Sequence, residues 1–192
     1  MNVHELVLRN RSYRRFDQSK AINVSLLEEL VDLGRLSPSG ANRQSQKYAV
    51  IAESTKNAEI FATLKWAGYL SDWDGPIEGE QPTGYIVVLQ DKEVGPGMAD
   101  HGIAVQSILL GAVEQGLGGC ILGNIDRPTL AKLLHLPETL EILWVLALGV
   151  PKEEVVIENM PADGSVKYWR DANGVHHVPK RSLDEVIAIS IG

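Results

Sequence analysis

The chain has 192 residues, 44% of them hydrophobic and 22% charged, with a net charge of −7 and a single cysteine. That length builds one core and predicts one domain over residues 1–192, while the acidic balance excludes general affinity for nucleic acid or anionic membrane. The lone Cys120 excludes an internal disulfide, the first 15 residues hold four arginines and no signal-peptide core, and the longest apolar run is nine residues, half a membrane span; a cytoplasmic protein is expected.

In chain order, residues 3–8 predict a short helix leading into a basic cluster. Ser25 and Glu28 make a capping-box pattern that opens a helix with Leu27, Leu30, Val31 and Leu36 at helical spacing, and Pro38 ends it. A strand is expected at 48–52 and a helix at 57–66. Residues 66–83 are irregular, acidic and rich in Trp, Gly and Pro, whereas 85–89 is the continuous apolar run of a buried strand. The stretch 98–115 is a helix, apolar on nearly every side between 103 and 113, and needs cover on several faces. Further buried strands are expected at 119–122 and 143–149, with a short helix at 128–134 between them. Asn173-Gly174 marks a hairpin within 166–178, and an apolar tail, 186–191, ends the chain. Helices and strands interleave without strict alternation, so the class is α+β, a mixed sheet with helices around it.

Two segments carry candidate chemistry. Four of the nine arginines lie between residues 9 and 15, in a run that reads Arg11-Ser12-Tyr13-Arg14-Arg15-Phe16, and Lys180-Arg181 is a second basic pair. Guanidinium groups flanking a hydroxyl form charge-assisted hydrogen bonds to a phosphate, although a solvated basic turn has the same composition. The run Ser37-Pro38-Ser39-Gly40-Ala41-Asn42-Arg43-Gln44 follows a helix; its small residues admit close backbone approach, and Asn42 and Gln44 offer donors and acceptors. Taken alone it is also an ordinary helix-ending turn. Cys120 reads as packing in a Gly-rich strand. His176 and His177 alternate in a strand and cannot share one metal, and His101 and His135 complete no zinc spacing. There is no dinucleotide or Walker fingerprint. Trp66, Tyr69 and Trp73 are candidates to line a substrate pocket, or a self-packed loop.

Taken in order, these segments resemble the FMN-dependent nitroreductase family. The R-S-x-R-x-F run from Arg11 is followed by S-P-S-x-x-N-x-Q from Ser37, a glycine-bearing segment from Gly116 to Gly123, a Leu146-Ala-Leu-Gly-Val-Pro151 run and a basic closing segment at Lys180. The resemblance implies a central mixed, mostly antiparallel sheet flanked by helices, in an intertwined homodimer with a C-terminal extension. It implies FMN as cofactor, NADH or NADPH as reductant, and ping-pong transfer of hydride to a small electron-poor acceptor, a nitroaromatic or a quinone. Arg11, Ser12 and Arg14 would then hold the FMN phosphate and ribityl chain, with Lys180 or Arg181 completing that site. Ser39 and Asn42 would reach the flavin from the partner subunit with Pro38 packed beside it, and Leu122 and Gly123 would present backbone N–H groups near its N5. No protein catalytic residue and no metal are expected, because the cofactor carries the chemistry. The sequence departs from the family pattern at Asn10, at Ser45-Gln46 and in the 166–178 hairpin, which puts the acceptor in question. The rival readings are a non-catalytic FMN-binding or sensing module, and a specialised flavin oxidase or dehydrogenase on the same fold.

Overall fold

A computed structural model describes residues 1–97 and 99–192. In chain order the elements are α1 (Val3–Arg9), α2 (Val24–Leu36), a 3-10 turn at Gly40–Asn42, β1 (Gln46–Ile51), α3 (Ser54–Phe61), β2 (Gly84–Asp91), α4 (Asp100–Glu114), β3 (Gly118–Leu122), α5 (Arg127–Leu133), β4 (Leu140–Gly149), β5 (Val155–Asn159), β6 (Trp169–Arg170), β7 (His176–Lys180) and α6 (Leu183–Val186). They fall into two compact units, the first of residues 1–66 and 75–152, the second of residues 67–74 and 153–192.

The first unit is built on the most apolar runs of the sequence. β2, buried through Gln90, pairs with β1 and β4, and β3 adds to β4, giving the order β1-β2-β4-β3 with every pairing antiparallel. Ile86, Val88, Leu146 and Leu148 from this sheet meet Leu27 and Leu30 of α2 and Ile108 of α4 in one core. Each such side chain contributes about 1.5–3 kcal/mol by leaving water. Glycines set the distance between the two helices: a Cβ at Gly111 would stand 2.2 Å from Leu33 Cδ1. α4 buries His101, Ala104, Val105, Ile108, Leu109, Ala112 and Val113, while Gly102, Ile103 and Gln106 face solvent. Met98, the expected start of that helix, lies outside the described residues.

Local boundaries depart from expectation where a different side chain wins the cap. Asn23, not Ser25, opens α2, its Oδ1 accepting from the Leu26 N–H at 2.8 Å; Asn caps as well as Ser and comes two residues earlier. The helix expected at 57–66 starts at Ser54 because the Glu53 carboxylate takes the Thr55 and Lys56 N–H groups. It stops at Phe61, where the Thr63 hydroxyl turns back onto the Ile60 carbonyl at 2.7 Å.

The second unit holds a small mixed sheet of order β5-β7-β6, with β5 parallel and β6 antiparallel to β7. The hairpin expected around Asn173-Gly174 is present but short. The Asp171 carboxylate accepts from the Asn173 and Val175 N–H groups, both at 2.9 Å, and Gly174 takes φ +83°. Its partner β5 was not foreseen. Ser182 and Glu185 form a capping box at α6, after which Ile189 and Ile191 are 79% and 92% exposed.

Candidate functional site

Past α1, the chain runs onto β3. Ser12 forms a parallel bridge with Gly119, and the Tyr13 N–H donates to the Gly119 carbonyl at 3.0 Å. Gly118 has no room for a side chain, since a Cβ there would stand 2.4 Å from Tyr13 Cδ2. The basic run and the glycine segment, far apart in sequence, are therefore one local structure.

The three arginines of that run have different fates. Arg15 is committed to Glu80 through two hydrogen bonds of 2.5 Å, with Lys152 Nζ at 3.7 Å; these cations, Arg15 foremost, hold the buried Glu80 carboxyl below its usual range. Arg14 is 9% exposed and donates to the Ser12 carbonyl at 3.2 Å. Arg11 donates from Nη2 to the Val7 carbonyl at 2.7 Å, and its buried Nε has no hydrogen-bond partner. Leu122 is buried at the end of β3, and Gly123 beside it is exposed. Arg127 fixes that strand end by donating to the carbonyls of Gly123, Ile142 and Leu143 at 3.1, 2.9 and 3.0 Å. Sequence reasoning missed Arg127; its place at the capped start of α5, after Asp126 and before Pro128, was the available signal.

The second predicted segment is pinned to α4. The Ser37 hydroxyl donates to Ser107 Oγ at 2.8 Å, and the Gly40 N–H donates to both oxygens of the buried Asp100 carboxylate, at 3.0 and 3.1 Å. Ser39 Oγ accepts from the Gln44 N–H at 3.2 Å, and the Asn42 N–H donates to the Ser39 carbonyl at 2.9 Å. Ala41, Asn42 and Gln44 hold φ of 51°, 53° and 53°, left-handed values that cost a non-glycine residue about 1 kcal/mol or more each. Pro38 is exposed beside a groove shared with Leu6, Leu36 and Leu110. Gly40 is thus tied to the first residue of α4, whereas the basic run meets that helix further along, Asn10 Nδ2 donating to Gln106 Oε1 at 3.3 Å and Gly119 lying against Leu109. Close to Asp100, Ser45 Oγ and His101 Nε2 are buried without a partner, and burial lowers the His101 pKa against the opposing pull of Asp100.

The aromatic candidates separate. Trp66 is buried in the first unit, its ring 5.8 Å from that of Phe61 and close under Gly75, so it is packing there. Tyr69 and Trp73 belong to the second unit and line a cavity of about 380 Å³ with Tyr168, Trp169, Arg170 and Asp171. Lys180 and Arg181 also lie in the second unit, both exposed, with Arg181 Nη1 3.7 Å from Glu185. Cys120 is buried in β3 as packing requires. Among the described residues no group of His, Cys, Asp or Glu could hold a metal ion, and no helix is long and apolar enough to cross a membrane.

A model of the nitroreductase family matches residues 7–71 and 85–150. A nitroreductase family protein of Clostridium difficile 630 superposes with a TM-score of 0.64 at 24% identity, over 79% of this chain and 86% of that one. A nitroreductase family protein of Streptococcus pneumoniae TIGR4 gives a TM-score of 0.70 at 15% identity, over 98% and 100% of the two chains. The NADPH:FMN oxidoreductase of Vibrio harveyi, complexed with NAD+, gives 0.64 at 23% identity, over 83% and 74%.

Proposed function

The chain belongs to the nitroreductase family, and from that premise we propose that it is an FMN-dependent oxidoreductase that passes hydride from NADH or NADPH to a small electron-poor acceptor, nitroaromatic or quinone in type, in ping-pong order. The observation that carries this reading is the seating of Ser12 and Tyr13 on Gly119. It sets Arg11 and Arg14 beside a glycine strand that ends in Leu122 and an exposed Gly123. The terminal phosphate of FMN suits the first group, and the ring's need for backbone donors and an apolar wall suits the second.

The residues fit the group on their own chemistry. A buried guanidinium nitrogen without an acceptor, as at Arg11 Nε, costs about 1–3 kcal/mol unless a ligand supplies one. A phosphate has oxygens to spare for it and for Arg14. Once bound, FMN would supply the hydride chemistry, so the chain needs no nucleophile or general acid of its own. The chain's residues bind and orient: Arg11 and Arg14 anchor the phosphate, Ser12 meets the ribityl chain, and the backbone of Leu122 and Gly123 faces the ring.

We assign Ser39 and Asn42, with Pro38 beside them, to the flavin of a second subunit in a homodimer. One feature supports this: Val186, Ile187, Ile189 and Ile191 are exposed in the single chain, a cost that a partner surface removes.

The purified protein should be yellow, release FMN on heating as identified by mass spectrometry, bleach with NADH or NADPH, and regain colour with a quinone. FAD in place of FMN, or no flavin after reconstitution, overturns the reading. FMN that binds but never bleaches with either nucleotide makes the protein a binding module.

A further inference from the structure

The cavity in the second unit has a chemical character of its own, independent of the flavin reading. Its walls are aromatic. Tyr69 and Tyr168 meet with ring centroids 5.0 Å apart, and Tyr69 is still 54% exposed. Trp169 lies flat on His177, 4.9 Å away and 3° from parallel, yet stays 43% exposed. Exposed phenol and indole beside a cavity are surfaces for a flat ring to stack on.

The charge around the cavity is lopsided. The Arg170 guanidinium stands 4.7 Å over the Trp73 ring, but its charge is matched by Glu153, 2.8 Å away and with no exposed side-chain surface. His177 lies between Glu158 at 2.8 Å and Asp171 at 3.5 Å. The charged side chains that line the cavity are thus two carboxylates, Asp72 and Asp171, and one cation, Arg170, already matched by Glu153. Among the described residues no cation pairs with the Asp72 carboxylate, which accepts from the Ser71 hydroxyl at 3.3 Å. A cavity of about 380 Å³ is of a size for one or two fused rings.

We propose that this cavity binds a planar aromatic cation, its ring stacked on Trp169 and Tyr69 and its charge balanced by Asp72 and Asp171. Aromatic faces attract a cation through their quadrupole, and a surplus of carboxylate repels the matching anion. The Arg170–Glu153 pair keeps the Trp73 wall in place rather than contacting the charge of the ligand.

Calorimetric titration of the full chain with N-methylquinolinium, neutral quinoline and naphthalenesulfonate near neutral pH tests this, with and without FMN present. N-Methylquinolinium should bind about tenfold more tightly than quinoline, and naphthalenesulfonate more weakly than either. Asp72→Asn should weaken the cation about threefold and leave quinoline unchanged. Trp169→Ala should weaken both rings about tenfold; if that variant loses its near-ultraviolet dichroism, Tyr69→Ala takes its place with the same expectation. Equal affinity for the cation and quinoline, no binding of either, or cation affinity unmoved by removal of the aromatic wall overturns the proposal. FMN binding is read separately, so its failure would leave this result standing, and the converse holds too.

Discussion

The two sheets of this chain are held together by different forces. In the first unit, β2 and β4 bury Ile86, Val88, Leu146 and Leu148 against α2 and α4, and the ion pair of Arg15 with Glu80 sits apart from that core. In the small sheet of the second unit, side chains meet as pairs: Arg170 with Glu153, His177 with Glu158 and Asp171, Trp169 with His177, and Tyr168 with His176. Burial of apolar surface involves no proton and no charge to screen, and it gives a scaffold with one arrangement. A sheet held by charge and ring pairs responds to protons and to ligands.

Substitutions can sharpen or break that contrast. The largest effect is expected from Leu148→Ala, which opens a cavity in the fully buried core and should cost about 2–5 kcal/mol in urea unfolding. Next comes Glu153→Gln, which strands the largely buried charge of Arg170 and should cost about 3 kcal/mol, seen in the emission of Trp73 and Trp169. If Leu148→Ala proves as mild as a surface change, the division of forces drawn above is wrong. Arg14→Ala should weaken FMN binding about tenfold or more, the loss of a charged hydrogen bond, while Lys56→Ala leaves it unchanged; flavin fluorescence titration reads both.

A smaller effect follows from His177. Glu158 first, and Asp171 with it, raise its pKa above 6.5, so folding favours the protonated ring. The stability it contributes is complete below 6.5 and is lost as pH rises through the raised folded value. Denaturant midpoints measured on the second unit should therefore fall across that rise, and His177→Gln should flatten the slope. The least effect is expected from Cys120→Ser, which should keep FMN occupancy and NAD(P)H-dependent reduction, since Cys120 is buried as packing in β3. Loss of reduction with the flavin retained would give the thiol a role in the chemistry.

The buried strands were legible because runs such as 85–89 and 143–149 have no alternative to the interior. The hairpin at Asn173-Gly174 was legible because its turn chemistry is local. β5 was not, since Val155–Asn159 pairs in parallel with a strand some twenty residues on, and no turn signal announces a parallel partner. The start of α2 was misplaced because Asn23 and Ser25 are both good caps, and only the fold chooses between them. In the candidate site, Arg11 and Arg14 were visible as charge. The commitment of Arg15 to Glu80, and the removal of Trp66 into the core beside Phe61, depend on contacts between distant segments that no spacing encodes.

The loop at Ala41–Gln44 has a further consequence. Its three left-handed residues are held in place by Asp100 and by the Ser39 hydroxyl, before any ligand arrives. A segment ordered at folding loses little freedom on binding, because immobilising a side chain or loop costs about 0.5–1.5 kcal/mol only where it was mobile beforehand. Contacts made by Ser39 or Asn42 would then come with little entropic penalty, and amide hydrogen exchange in the loop should change little between the free and bound protein. Rigidity of this kind also narrows the choice of ligand, since a loop that does not adapt admits only shapes that already match it.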